Sequence, residues 1–162
     1  MSTVYFVCIG NACRSPMAAA IFDQIVRGRG IEGVRADSFG IVPFYGDSDD
    51  VRQLRESAVR TVIGEMDGLK DHKPKGVMEI AFEEGDKIVL LDSGRVNELG
   101  AGILRNKSFQ GKRFPMLMIE TEDPFGGAVK DYVNCCLFLK KEIEENLSFM
   151  TRSISIQAPK HM

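Results

Sequence analysis

No apolar run in this sequence approaches the ~18 consecutive residues that would suggest a membrane span. Met1-Ser2-Thr3 leads directly into a strand-like run, with no basic n-region and no h-region, so no secretory leader is expected. A basic excess is also missing. The 21 Lys and Arg against 23 Asp and Glu leave a formal net charge of −2, which argues against a broad nucleic-acid footprint. Any anion site must therefore be local. Cysteine is absent from positions 14 to 134, and the four present fall at 8, 13, 135 and 136. Two in one loop and an adjacent pair in a helical stretch make a poor disulfide framework, so a reducing, cytoplasmic setting is expected. No cluster has metal-ligand spacing, and no repeat, low-complexity segment or linker divides the chain.

What is present suits one soluble domain. Apolar residues at 44% and charged residues at 27% over 162 positions allow a sizeable core. The chain reads in order as a strand ending at Cys8 and a helix from Ser15-Pro16 to about Gly28, with Ser15 as its cap. A second strand covers Val34 to Ser38, and a loop from Gly40 to Asp50 follows. A helix from Val51 to about Asp67 carries Val51, Leu54, Ala58, Val62 and Met66 on one face, with Gly68 as its stop. A short helix is expected at about Val77 to Glu84, an unalternating buried strand at Asp86 to Leu91 and a helix from Ser93 to about Leu104. Pro115 to Ile119 forms the fourth strand, and a long helix from about Ala128 to Met150 closes a single domain over 1–150. Residues 151–162 read as a tail. Alternating strands and helices of this kind predict an α/β fold of three layers, a four-stranded parallel sheet flanked by helices, with ligands beyond the C-terminal strand ends.

The most informative stretch is Val7-Cys8-Ile9-Gly10-Asn11-Ala12-Cys13-Arg14-Ser15-Pro16, set directly between strand and helix. Its amides can curl around a tetrahedral oxyanion while Arg14 forks across two oxygens and the helix N-terminus adds partial positive charge. A thiol at the base of such a bowl loses its proton readily. The plain alternative makes Cys8 a buried hydrophobe at a strand end. Against it, Arg14 has little structural reason to open a helix whose dipole opposes its charge. If Cys8 attacks phosphorus, the leaving oxygen needs a proton, and Asp123-Pro124-Phe125 lies just after the fourth strand, on the same sheet edge. Elsewhere an Asp-Pro pair would read as a turn.

The Cys8–Pro16 stretch, taken with Asp123-Pro124-Phe125-Gly126-Gly127, resembles the low-molecular-weight protein-tyrosine phosphatase family over nearly the whole chain. The resemblance implies a metal-free, cofactor-free cysteine-dependent phosphomonoester hydrolase. Cys8 would form a phosphocysteine, while Arg14 and the amides of Ile9, Gly10, Asn11, Ala12, Cys13 and Arg14 hold the phosphoryl oxygens. Asn11 would keep the loop in shape and Ser15 would donate to the Cys8 sulfur. Asp123 would protonate the leaving group and then deprotonate the water that frees inorganic phosphate. Asp92 and His72 correspond to positions that brace the loop, although His72 alone also reads as a solvated loop histidine. Substrates would be phosphorylated proteins or small phosphomonoesters, with no nucleic-acid or membrane partner.

The middle of the chain departs from that family. Ser93-Gly94-Arg95-Val96-Asn97 follows Asp92, and Ser38-Phe39-Gly40-Ile41 replaces Ser-Ala-Gly-Thr. Phe44 and Tyr45 are the candidates for an aromatic wall favouring phosphotyrosine, or else they pack on the domain. Ala12 is smaller than the branched residue common there, and Asp-Pro-Phe-Gly-Gly resembles bacterial members, some of which prefer phosphoarginine. Cys13 either forms a protective disulfide with Cys8 under oxidation or is simply small enough for the loop. Cys135 and Cys136 read as packing residues. A thiol-dependent arsenate reductase of the same fold is the competing enzyme, but it needs a mid-chain cysteine relay that residues 14–134 lack. An anion-binding module without turnover is the non-enzymatic alternative.

Overall fold

The structure, a computed structural model, describes residues 1–44, 47–106 and 114–152. Four parallel strands, β1 (Ser2–Cys8), β2 (Val34–Gly40), β3 (Lys87–Leu90) and β4 (Met116–Met118), form one sheet in the order β2-β1-β3-β4. Among the described residues five helices flank it: α1 (Arg14–Gly28), α2 (Asp49–Ile63), α3 (Gly94–Asn106), α4 (Val129–Glu145) and α5 (Leu147–Thr151). The expected three-layer α/β architecture is present. Phe6, Met17, Ile21, Phe22, Tyr132 and Leu139 belong to a core on the α1, α2 and α4 side of the sheet. Tyr5, Val7, Phe39, Leu90 and Leu104 form a second core on the α3 side.

The strand order places the site. From β1 the chain steps to β2 on one side, and later to β3 on the other, so the winding reverses beside β1. Crevices beyond such a reversal, at the C-terminal strand ends, are where open α/β sheets hold ligands. The loop after Cys8 occupies that position. Among the described residues no helix is long and apolar enough to cross a membrane.

Three elements differ from expectation. The second helix stops at Ile63, because Gly64 takes the left-handed conformation (φ 78°) and its N–H returns to the Arg60 carbonyl. Such a cap favours glycine, which has no Cβ to clash, so the stop comes four residues earlier than Gly68. The short helix expected from Val77 reduces to one 3-10 turn, Val77–Glu79, closed when Glu79 accepts from the Gly76 N–H at 2.7 Å. The last helix breaks at Asn146, between α4 and α5. Tyr45 and the Ser153–Met162 part of the expected tail lie outside the described residues.

Candidate active site

The loop from Cys8 to Arg14 turns sharply because Asn11 adopts a left-handed backbone (φ 57°), which asparagine tolerates better than most side chains. The Asn11 side chain is fully buried and holds three neighbours. Its Nδ2 donates to Ser15 Oγ at 2.9 Å and Ser38 Oγ at 3.0 Å, and its Oδ1 accepts from the Lys75 N–H at 2.9 Å. His72 Nε2–H donates to the Asn11 carbonyl at 2.8 Å, so this histidine braces the loop rather than facing water. Burial first of all lowers its pKa from 6.5 and keeps the ring neutral.

Ser15 does not cap α1 as its position suggested. The helix begins at Arg14 without a side-chain cap, and the Ser15 hydroxyl instead meets Cys8 Sγ at 3.0 Å while accepting from Asn11. Cys8 lies buried at the end of β1 and pairs in register with Gly40. A Cβ on Gly40 would stand 2.8 Å from the Ile9 carbonyl oxygen, so only glycine leaves room for the loop. The Ile9 N–H donates to Asp92 Oδ2 at 3.0 Å, leaving the amides of residues 10–13 without a protein acceptor among the described residues. Ala12 and Cys13 are buried, and the Cys13 thiol points to Tyr132 Oη at 3.5 Å. Burial pushes that thiol up to about 11. Cys135 and Cys136 are buried as expected, with Cys136 Sγ 3.4 Å from Met17 Sδ.

Arg14 is the electrostatic centre. Its guanidinium is almost fully buried, pairs with Asp92 Oδ1 at 2.9 Å, donates to the Thr121 carbonyl at 3.1 Å and reaches Asp123 Oδ2 at 3.4 Å. Burial works against the charge, but Cys8, Asp92 and Asp123 outweigh it and raise the Arg14 pKa. Among the described residues its Nε has no partner. Asp123 is half exposed and also accepts from the Phe125 N–H at 3.0 Å. Cys8, Ile9, Gly10, Ala12, Cys13, Arg14, Phe44, Asp123 and Phe125 together line a cavity of about 230 Å³. Phe44 and Phe125 stand across its mouth, edge to face with centroids 6.2 Å apart. The arrangement can hold an anion against a thiol, with a carboxyl on the solvent side.

Sequence reasoning missed several supports: Ser38, Lys75, the Thr121 carbonyl and, above all, Arg55. The Arg55 side chain on α2 is completely buried, and its Nη1 donates to the Ala12 carbonyl at 2.9 Å and Asp47 Oδ2 at 2.7 Å. One signal was available. Arg55 sits four residues after Val51 and three before Ala58, on the apolar stripe of its helix, where an unpaired arginine does not belong.

Residues 3–155 match the family described as low molecular weight phosphotyrosine protein phosphatase. The protein of that name from Saccharomyces cerevisiae is 37% identical over 60% of this chain and 58% of its own length. The chain thus spans less than two thirds of this relative. A protein-arginine-phosphatase from Geobacillus stearothermophilus is 29% identical over 80% of this chain and 82% of its own. In fold, the chain is similar to a low molecular weight protein tyrosine phosphatase from T. tengcongensis. The TM-score is 0.71 at 21% identity, covering 92% of this chain and 99% of the other.

Proposed function

Because the chain belongs to the low molecular weight phosphotyrosine protein phosphatase family, we propose that it is a cysteine-dependent phosphomonoester hydrolase acting on phosphorylated proteins in the cytoplasm. The observation that carries this reading is that Cys8, Arg14 and Asp123 line one cavity.

The Cys8 thiolate, to which the Ser15 hydroxyl donates at 3.0 Å, attacks phosphorus in line with the leaving oxygen. Arg14 and the free loop amides hold the three equatorial oxygens, where charge concentrates, and supply most of the stabilisation. Asp123 gives its proton to the leaving oxygen as the S–P bond forms and the P–O bond breaks. Its carboxylate then takes a proton from the water that attacks the phosphocysteine, releasing inorganic phosphate and restoring the thiolate. Contact with Arg14 at 3.4 Å sets the Asp123 carboxyl over the cavity. In this scheme no step needs a metal or cofactor.

Phe44 and Phe125 give the cavity an aromatic mouth, which favours phosphotyrosine. Phosphoarginine is the second reading, supported by similarity to the Geobacillus stearothermophilus protein-arginine-phosphatase. Arsenate reduction lacks support, since Cys135 and Cys136 are buried and neither is placed to carry a disulfide outward.

The test is metal-free hydrolysis of p-nitrophenyl phosphate against pH by wild type, Cys8→Ser and Asp123→Ala. Turnover is expected to vanish in the first variant and to fall about 10²–10⁴-fold in the second, as loss of a general acid does. Phosphotyrosyl and phosphoarginyl peptides then rank the two substrates. A folded wild type without turnover overturns the reading.

A further inference from the structure

A second, larger groove of about 470 Å³ adjoins the catalytic cavity, between the loop after β4 and the outer face of α4. Asp123 and Phe125 line both spaces, so the two share a wall. Thr121 and Cys135, both buried, form its floor. Its sides are apolar and open to water, with Phe125 57% exposed and Phe138 38% exposed. Glu120, Glu122 and Asp131 lie on the polar side, and among the described residues no Lys, Arg or His lines the groove.

Among the described residues, Asp123 alone of the carboxylates around the groove pairs with a cation of the chain, through Arg14. Asp131 accepts from the Ala128 N–H at 2.8 Å and Glu120 from the Gly94 N–H at 3.4 Å. Among the described residues the Glu122 carboxylate meets no partner. Among them, too, no three acidic, histidine or cysteine side chains converge as a metal cluster would require.

We propose that this groove is a substrate subsite for a Lys or Arg side chain close in sequence to the phosphorylated residue. A long aliphatic stem ending in a cation matches both faces of the groove, since the stem covers Phe125 and Phe138 while the charge stays in water beside Glu120 and Glu122. An apolar occupant would leave the carboxylates unanswered, and a bare cation would leave the rings exposed. The shared wall at Asp123 and Phe125 makes the occupant part of the substrate whose phosphoryl group lies in the neighbouring cavity. The preferred substrate is therefore a phosphopeptide with its dianion over Cys8 and a basic neighbour over α4. The inference rests on the hydrolase reading above.

The experiment compares kcat/KM for phosphopeptides that differ only in Lys, Ala or Glu at positions flanking the phosphorylated residue, which is the one preferred in the preceding assay. Wild type is expected to favour a Lys peptide about tenfold over its Ala counterpart and more over Glu, with the preference shrinking as salt screens the pairs. In Glu120→Gln/Glu122→Gln the preference falls to within about twofold, and Glu122→Lys shifts it toward the Glu peptide. p-Nitrophenyl phosphate, which has nothing to place in the groove, is hydrolysed by all three proteins at similar rates. Equal rates on all peptides, or a Lys preference that survives the double substitution, overturn the subsite while leaving the hydrolase intact. Failure of wild type on p-nitrophenyl phosphate overturns both.

Discussion

Arg55→Met is the most searching perturbation of the phosphate loop that touches no reacting group. Arg55 is fully buried and its partner Asp47 is 11% exposed, with 2.7 Å between Nη1 and Oδ2. Removing one member of a buried pair strands the other and typically costs ~3–5 kcal/mol. For a chain of this size that lowers the melting temperature by about 6–20 °C. Asp47→Asn/Arg55→Met removes both charges, so most of that penalty disappears. What remains is the Ala12 carbonyl, left without its donor at a cost of about 1–3 kcal/mol. Stability and binding should separate here. The peptide unit whose carbonyl Arg55 holds carries at its other end the Cys13 N–H, one of the free amides of the loop. Loss of the guanidinium lets that peptide rotate, so the inhibition constant for phosphate is expected to rise about tenfold in single and double variants alike. Urea denaturation and competitive inhibition by phosphate measure the two effects. A single variant that loses less than ~1 kcal/mol, or a double variant as unstable as the single, refutes the buried-pair reasoning. Unchanged phosphate inhibition refutes the role given to the Ala12 carbonyl.

Two further outcomes follow from the same geometry. Gly40→Ala places a methyl 2.8 Å from the Ile9 carbonyl oxygen and 3.1 Å from the Asn11 nitrogen, both backbone atoms, so the loop must move. A fall of about 10–100-fold in kcat/KM is expected, whereas Gly28→Ala, with nothing within 4 Å, leaves activity unchanged; equal effects would dismiss the close-contact argument. The lowered pKa of His72 means the unfolded chain binds a proton more readily than the folded one near pH 6, so stability rises with pH in that range. Its contribution is complete above the unfolded value of about 6.5 and is lost as pH falls through the folded value, a slope that His72→Gln should flatten in denaturation curves at pH 5–7.

Local chemistry made the first strand, the loop and the start of α1 legible in the sequence. Cys8, Asn11, Arg14 and Ser15 lie within eight positions, and what a short loop between strand and helix can do depends mainly on its own spacing. Asp92 and Asp123 were legible one step further out, because parallel topology sends every C-terminal strand end to the same edge. Hydrophobic periodicity found all four strands but ran past Gly64, since the side-chain pattern of α2 continues after the backbone has turned left-handed. The hydroxyl of Ser15 read as a cap because sequence spacing cannot show that Cys8 and Asn11 are closer claimants.

The sequence alone thus determined the parallel α/β scheme and the nucleophile loop, which rest on periodicity and on residues near one another in the chain. Tertiary structure decided what holds that loop in shape. Ser38, Arg55, Lys75 and the Thr121 carbonyl reach it from 27 to 107 positions away. Tertiary structure also decided that a strip of acids between β4 and α4 borders an open groove. Hydrogen bonds and buried charge pairs depend on distances of about 3 Å between atoms, and only the folded chain brings such distant positions that close.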